Sequence, residues 1–241
     1  MTPVTSGPPI VLTATIVPLG SDPNGAFCRQ RRAEYLRALR FYLQFARVYF
    51  LENSGYDLLN DPDFNELPGL QLRKFTPSQF ADRGKGFQEF EMLDQWMAQE
   101  EPLPGRWLKI TGRYLVINIE QILKECGARS RFELLIDQTS RSEMARTYLF
   151  CTTSDFYRKE ISGLYKACDD TRGDYIERVL FKVLQTFGPE TCRFFLRQPR
   201  MIATAGSSGN AFPSGYLQAA IKTALRLINS LFEKRYLLYP K

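Results

Sequence analysis

Ile10-Val-Leu-Thr-Ala-Thr-Ile-Val17 is a β-branched run closed by Pro18 and Gly20. Its apolar residues are continuous rather than alternating, the pattern of a strand covered on both faces inside a parallel sheet. Working outward, Arg29 to Ala46 repeats apolar residues at helical spacing (Tyr35, Leu39, Tyr42, Ala46) with arginines on the other face, which predicts an amphipathic helix. Val48-Tyr-Phe-Leu51 predicts a second strand, ending in Glu52-Asn-Ser-Gly55. Strand, helix and strand of this length form a βαβ unit with a right-handed crossover. Further strands are predicted at 70–75, 107–111, 115–119, 132–136 and 147–151, and helices over 86–99, from 120, and over 156–168, 174–187 and 216–235. Residues 1–9, with Thr, Ser, Gly and three prolines, predict a flexible N-terminal arm. Residues 10–241 read as one α/β domain, a mostly parallel sheet flanked by helices with a C-terminal helical section.

The 241 residues contain no histidine. That excludes Ser-His-Asp and Cys-His nucleophile systems, histidine-ligated zinc and a histidine general base within this chain, so acid-base chemistry falls to carboxylates, Lys, Tyr or Cys. The five cysteines are odd in number and never in a C-x-x-C pair, which predicts reduced thiols and a cytoplasmic protein. No run approaches the ~18 to 20 apolar residues of a membrane span, and Ile10–Leu19 lacks the basic region of a signal peptide. The net charge of +6 predicts an anionic partner.

In an open parallel sheet, ligands bind beyond the carboxyl ends of the strands. Thr15 after the first strand and Glu52, Asn53 and Ser54 after the second are therefore candidates, with turn chemistry as the plain alternative. Arg83-Gly-Lys-Gly-Phe-Gln-Glu89 puts two glycines and two cations at a helix start, where exposed NH groups favour phosphate, although the Walker A spacing is missing. Lys109-Ile-Thr-Gly-Arg-Tyr114 sets Lys109 and Arg113 around Gly112, where the backbone can approach a ligand closely; an edge strand with solvated cations is the alternative. Ala205-Gly-Ser-Ser-Gly-Asn210 has the composition of a phosphate nest, with Arg197 or Arg200 beside it, or of a plain loop. The last helix carries an apolar stripe, Leu217, Ile221, Ala224, Leu225, Ile228, Leu231 and Phe232. Such a stripe is expected to pack on the core, with a membrane surface as the other reading.

Five segments in order, Thr13-Ala-Thr-Ile-Val-Pro18, Arg32-Ala-Glu-Tyr35, Glu52-Asn-Ser-Gly-Tyr56, Gly84-Lys-Gly-Phe-Gln-Glu-Phe-Glu91 and Lys109-Ile-Thr-Gly-Arg-Tyr114, resemble bacterial surface-polysaccharide glycosyltransferases. These are small cytoplasmic enzymes of O-antigen, lipopolysaccharide and capsule clusters with a GT-A-like, nucleotide-sugar-binding fold. The resemblance implies transfer of a sugar from a nucleotide-diphosphate sugar, a UDP-sugar favoured, to a lipid-linked oligosaccharide acceptor at the inner membrane surface. Residues 10–120 would be the donor-binding half and 121–241 the acceptor half. Thr15, Glu52, Asn53 and Ser54 would face the nucleoside, Lys85 and Glu89 the ribose or phosphate, and Lys109, Gly112 and Arg113 the diphosphate. The family's better-known D-x-D is absent after a central strand; Asp61-Pro-Asp63, the literal match, follows no predicted strand. Protein cations are therefore expected to stand in for the metal, with Mg or Mn not essential. An inverting mechanism would need a carboxylate base, for which Asp155, Glu177 and Asp137 are candidates, Asp155 being equally an N-cap; a retaining mechanism would need none. A basic nucleic-acid-binding module and a catalytically inactive relative are the alternatives, although no compact recognition motif for nucleic acid is present and no nucleic-acid partner is expected.

Overall fold

The strand Ile10–Ala14 (β1) is buried along its whole length. The helix Ala26–Tyr42 (α1) returns the chain to Val48–Glu52 (β2), which pairs with β1 in parallel with Ile10 opposite Val48. These elements follow from the apolar runs and spacing that predict them, although α1 begins and ends earlier than Arg29 and Ala46 because the chain must turn before β2. A single helical turn, Pro62–Asn65 (α2), precedes Leu70–Lys74 (β3), which adds to β2 in parallel. The helix Lys85–Gln99 (α3) leads to Arg106–Thr111 (β4), which pairs in parallel with the other side of β1. After Leu115–Val116 (β5) and the helix Ile119–Ala128 (α4), the chain forms Leu134–Thr139 (β6) and Met144–Thr153 (β7). A turn at Ser154–Phe156 (α5), the helix Ile176–Leu184 (α6), the short strands Cys192–Arg193 (β8) and Met201–Ile202 (β9) and the helix Tyr216–Leu231 (α7) complete it. This computed structural model describes residues 7–202 and 215–232.

The main sheet has seven strands in the order β3-β2-β1-β4-β7-β6-β8. Only β7 runs against the others, antiparallel to both β4 and β6. β5 and β9 form a separate two-stranded sheet. One face is packed by α1 and α4 through Tyr35, Leu39, Ile122 and Cys126, and the other by α3 and α6 through Phe90, Trp96, Leu180 and Leu184. Successive side chains of β1 divide between these faces, Ile10 and Leu12 on one and Val11 on the other. This double coverage is why the strand reads as a continuous apolar run.

Several expectations change. Pro9 lies in the N-terminal arm by sequence, yet its carbonyl accepts from the Leu108 amide at 2.9 Å and so continues the sheet. The helix predicted over 156–168 is instead a π-turn at Tyr157–Ile161 and a 3-10 turn at Leu164–Ala167, parted by Gly163 at φ 82°. Asp94 of α3 fixes this break by accepting from Tyr157 Oη, Ser162 Oγ and the Gly163 amide. The stripe of α7 also faces the wrong way for core packing: Leu217, Ile221, Ile228, Leu231 and Phe232 are all exposed. No helix among the described residues is long and apolar enough to cross a membrane, and the five cysteines are buried free thiols.

Candidate functional site

The chain leaves β1 in one direction to build β2 and β3, and β4 lies on the other side of β1. This reversal makes the carboxyl ends of β1 and β4 the topological switch point, where the two sets of loops separate and leave a crevice. Gly112, buried at the end of β4, packs against β1 there, its amide donating to the Thr13 carbonyl at 3.0 Å. A Cβ at this position would stand 2.7 Å from that oxygen and 3.1 Å from the Tyr35 ring, so only glycine permits the approach.

On the α1 side, the Thr15 amide donates to Tyr35 Oη at 3.1 Å, and Arg31 Nε donates to the Thr15 carbonyl at 3.0 Å. Arg31 and Tyr35 lie one helical turn apart, and the Arg31 guanidinium stacks on Phe27 and Tyr35. Arg113 pairs with Glu34 at 2.8 Å, both partly exposed. Arg31, Glu34 and Tyr35 therefore join the site without having been candidates; the clue in the sequence is the Arg32-Ala-Glu-Tyr35 segment.

On the α3 side, Glu89 Oε1 accepts from Lys109 Nζ at 2.7 Å, from Thr111 Oγ1 at 3.3 Å and from Thr13 Oγ1. Lys109 is 0% exposed and also donates to Thr111 Oγ1 and to the Thr147 carbonyl. Burial pushes its ammonium below the ordinary lysine range, against the opposing pull of Glu89 and Glu177. Thr147 Oγ1 donates to Glu177 Oε1 at 3.0 Å. The structure thus gathers Glu89 and Glu177 around one buried lysine at the crevice edge. Lys109 holds Glu89 rather than lining open space.

Glu52, Asn53 and Ser54 are buried at the tip of β2. Glu52 Oε1 accepts from the Ile16 and Ser54 amides at 3.0 and 2.9 Å and from Ser54 Oγ, while Oε2 is buried with no hydrogen-bond partner. Burial raises Glu52 above the ordinary carboxylate range. Glu52 and Ser54 therefore bind the two loops together, and they shape the rim instead of facing it. Thr15 Oγ1 donates to Asn53 Oδ1 at 2.7 Å, and Asn53 Nδ2 donates to the Gln88 carbonyl, joining β1, β2 and α3 at the rim.

The glycines before α3 serve a different purpose from a phosphate loop. Gly84 has φ 113°, and a Cβ there would fall 2.1 Å from the Asp170 carboxylate, which accepts from the Lys85 amide at 3.2 Å. A Cβ on Gly86 would strike Ile176 at 2.5 Å. The helix start is thus occupied by the chain's own Asp170, and the exposed Lys85 side chain stands beside it.

Two candidate bases are misplaced. Asp155 follows β7, but because β7 is antiparallel, Thr153 lies opposite Arg106 at the start of β4. Asp155 is therefore on the far edge of the sheet, with its side chain 97% exposed beside Arg158. Asp137 is buried in a two-pronged ion pair with Arg226, at 2.8 and 2.7 Å. Of the three, only Glu177 reaches the crevice edge. The Asp61-Pro-Asp63 pair is bound to Arg32, at 2.7 Å through Asp61 and 2.6 Å through Asp63. Burial would raise Asp61, but Arg32 and Tyr56 hold it below the ordinary range. Among the described residues no cluster of three metal-ligating side chains occurs, and the residues closing β4, Thr111, Gly112 and Arg113, offer a hydroxyl and a cation rather than a carboxylate cage. The segment Ala205–Asn210 lies outside the described residues.

No family model matches the chain, and no curated protein matches it in sequence. Solved structures resemble it in shape. Apo mouse xyloside xylosyltransferase 1 is 11% identical, with 78% of this chain and 84% of that chain covered and a TM-score of 0.48. The 4-diphosphocytidyl-2C-methyl-D-erythritol synthase of Anaerococcus prevotii is 9% identical, covering 90% and 96%, with a TM-score of 0.45. The CMP:2-keto-3-deoxy-manno-octonic acid synthetase complexed with CTP is 12% identical, covering 94% and 100%, with a TM-score of 0.44. The fold is of the α/β class. It consists of a mixed, mostly parallel sheet with helices on both faces, as the first strands and the first helix lead one to expect.

Proposed function

We propose that the chain is a glycosyltransferase that takes a sugar from a nucleotide-diphosphate sugar, a UDP-sugar favoured, and passes it to a lipid-linked bacterial surface glycan of O-antigen or capsule type. The observation that carries this reading is the switch-point crevice. At the ends of β1 and β4 it sets the cations Arg31 and Arg113 on the α1 side and the carboxylates Glu89 and Glu177 on the α3 and α6 side. A diphosphate accepts hydrogen bonds in pairs, which suits the guanidinium fork. In this reading the nucleoside lies toward Thr15 and Asn53, and the diphosphate lies over Gly112 between Arg31 and Arg113. As the anomeric C–O bond breaks, the electron pair leaves with the nucleoside diphosphate, and the arginines offset its growing charge. In an inverting reaction Glu177 or Glu89 takes the acceptor hydroxyl proton as its oxygen bonds to the anomeric carbon. In a retaining reaction the leaving phosphate takes it. Lys109 acts one step back, as a positioning residue that holds the Glu89 carboxylate in place.

Thermal unfolding with UDP, GDP, CMP and dTDP tests the reading. A ligand at 100 times its Kd stabilises the folded chain by about 2.7 kcal/mol, which is roughly 5 to 11 °C for a chain of this size. A shift with UDP that falls in Arg31→Ala and Arg113→Ala is expected. No shift with any nucleotide, together with salt-sensitive binding to RNA or DNA, would overturn it in favour of a nucleic-acid module.

A further inference from the structure

An amphipathic helix on a globular protein ordinarily buries its apolar arc; α7 does the reverse. At about 100° per residue, Lys222, Thr223, Arg226, Asn229 and Ser230 share one side of the helix, and Leu217, Ile221, Ile228, Leu231 and Phe232 share the opposite side. The polar side meets the protein. Arg226 is 1% exposed and spans Asp137, the Phe195 carbonyl and Gln198. Thr223 Oγ1 accepts from the Gln198 amide at 3.1 Å, and Ser230 accepts from Arg193 through its carbonyl and hydroxyl. The apolar side faces outward, with Leu217 74% and Leu231 82% exposed and Leu227 joining them. A contiguous outward row of large apolar side chains marks a contact surface rather than a water-facing one.

The charges indicate what covers it. Residues 216–232 contain no acidic residue, Arg197 is exposed beside Gln198, and the sequence continues with Lys234, Arg235 and Lys241 against Glu233 alone. A second copy would bring like charges together, whereas anionic headgroups complement them. The helix has 16 residues, about 24 Å at 1.5 Å each, which is too short to span the ~30 Å hydrocarbon core. We infer that α7 is an interfacial helix that docks the protein on an anionic lipid surface by its outward apolar side. Its anchor, Asp137, lies toward the carboxyl end of β6, which shares the direction of β4.

This surface is independent of the transferase reading, because lipid binding is measured without donor or acceptor. The full chain is sedimented with phosphatidylcholine vesicles, with or without phosphatidylglycerol. Binding to the anionic vesicles is expected, weakened by salt and about tenfold or more in the Ile221→Gln/Leu231→Gln double variant, whose side chains touch solvent and leave the fold intact by circular dichroism. Absence of binding, equal binding to both vesicle types, or binding unchanged in the double variant would overturn it. So would a dimer in light scattering that the double variant dissolves without any vesicle binding.

Discussion

Replacing Arg226 with Met tests the buried pair that fixes α7 and removes Asp137 from the list of catalytic bases. Among the described residues the guanidinium makes two hydrogen bonds to the Asp137 carboxylate, one to the Phe195 carbonyl and two to Gln198 Oε1. The Asp137 side chain is 6% exposed, so the variant leaves a carboxylate without its counter-charge and, among the described residues, with only the Phe195 amide, at 3.3 Å, still donating to it. Breaking one half of such a pair costs about 3 to 5 kcal/mol, a fall in Tm of roughly 6 to 20 °C for a chain of this length. Replacing both partners, Asp137→Leu with Arg226→Met, removes the stranded charge and is expected to recover most of that loss. Urea denaturation followed by circular dichroism measures both. A single variant within about 1 kcal/mol of the parent, or a double variant no better than the single one, would refute the reasoning. The folded double variant should also keep donor turnover; its loss would return Asp137 to the reacting groups.

Lys109→Met is expected to change how stability depends on pH. The ammonium's folded value lies below its ordinary 10.5, so between the two values the unfolded chain holds a proton that the folded chain has shed. Stability of the parent therefore rises with pH across that window, and the variant lacks this rise. Denaturation at neutral pH and near pH 10 should show the parent gaining on the variant; a constant or shrinking gap would refute it. Glu34→Gln releases Arg113 from a partly exposed ion pair worth about 0.2 to 1 kcal/mol, and should tighten UDP binding by roughly 1.4 to 5 times. Calorimetric titration reads this, and unchanged or weaker binding would separate Arg113 from the diphosphate.

The elements up to β2 were legible because each has a pattern of its own, continuous where two faces are covered and helical where one is. Strand direction has no such signature. The run ending at Cys151 reads as a strand whichever way it points, and the reversal of β7 moved Asp155 to the opposite edge of the sheet. Lys109 illustrates a second limit, since a lysine between apolar neighbours reads as a cation offered to a ligand unless its partner, Glu89 on a different element, is known. Gly84 and Gly86 show a third. Glycine before a helix signals close approach, but whether to a phosphate or to Asp170 and Ile176 depends on segments far along the chain. For α7 the period was visible and the inward side was not, because the usual preference for burying the apolar arc was overridden by Asp137 and Arg226.

The +6 charge acquires a narrower meaning once the ion pairs are placed. Lys109 is bound to Glu89 within the fold, Arg32 to Asp61 and Asp63, and the start of α3 to Asp170. An incoming diphosphate would have to displace those carboxylates, and for a fully buried group the stranded partner makes that exchange unfavourable. Arg113 can exchange Glu34 at little cost, because both are partly exposed. Arg31 has no carboxylate to give up among the described residues; it is held in place by the Thr15 carbonyl, Phe27 and Tyr35, which leave its charge uncompensated at the mouth of the crevice. The order of readiness to bind an anion is therefore Arg31, then Arg113, with Lys109 last. Alanine at Arg31 should weaken UDP binding more than alanine at Arg113.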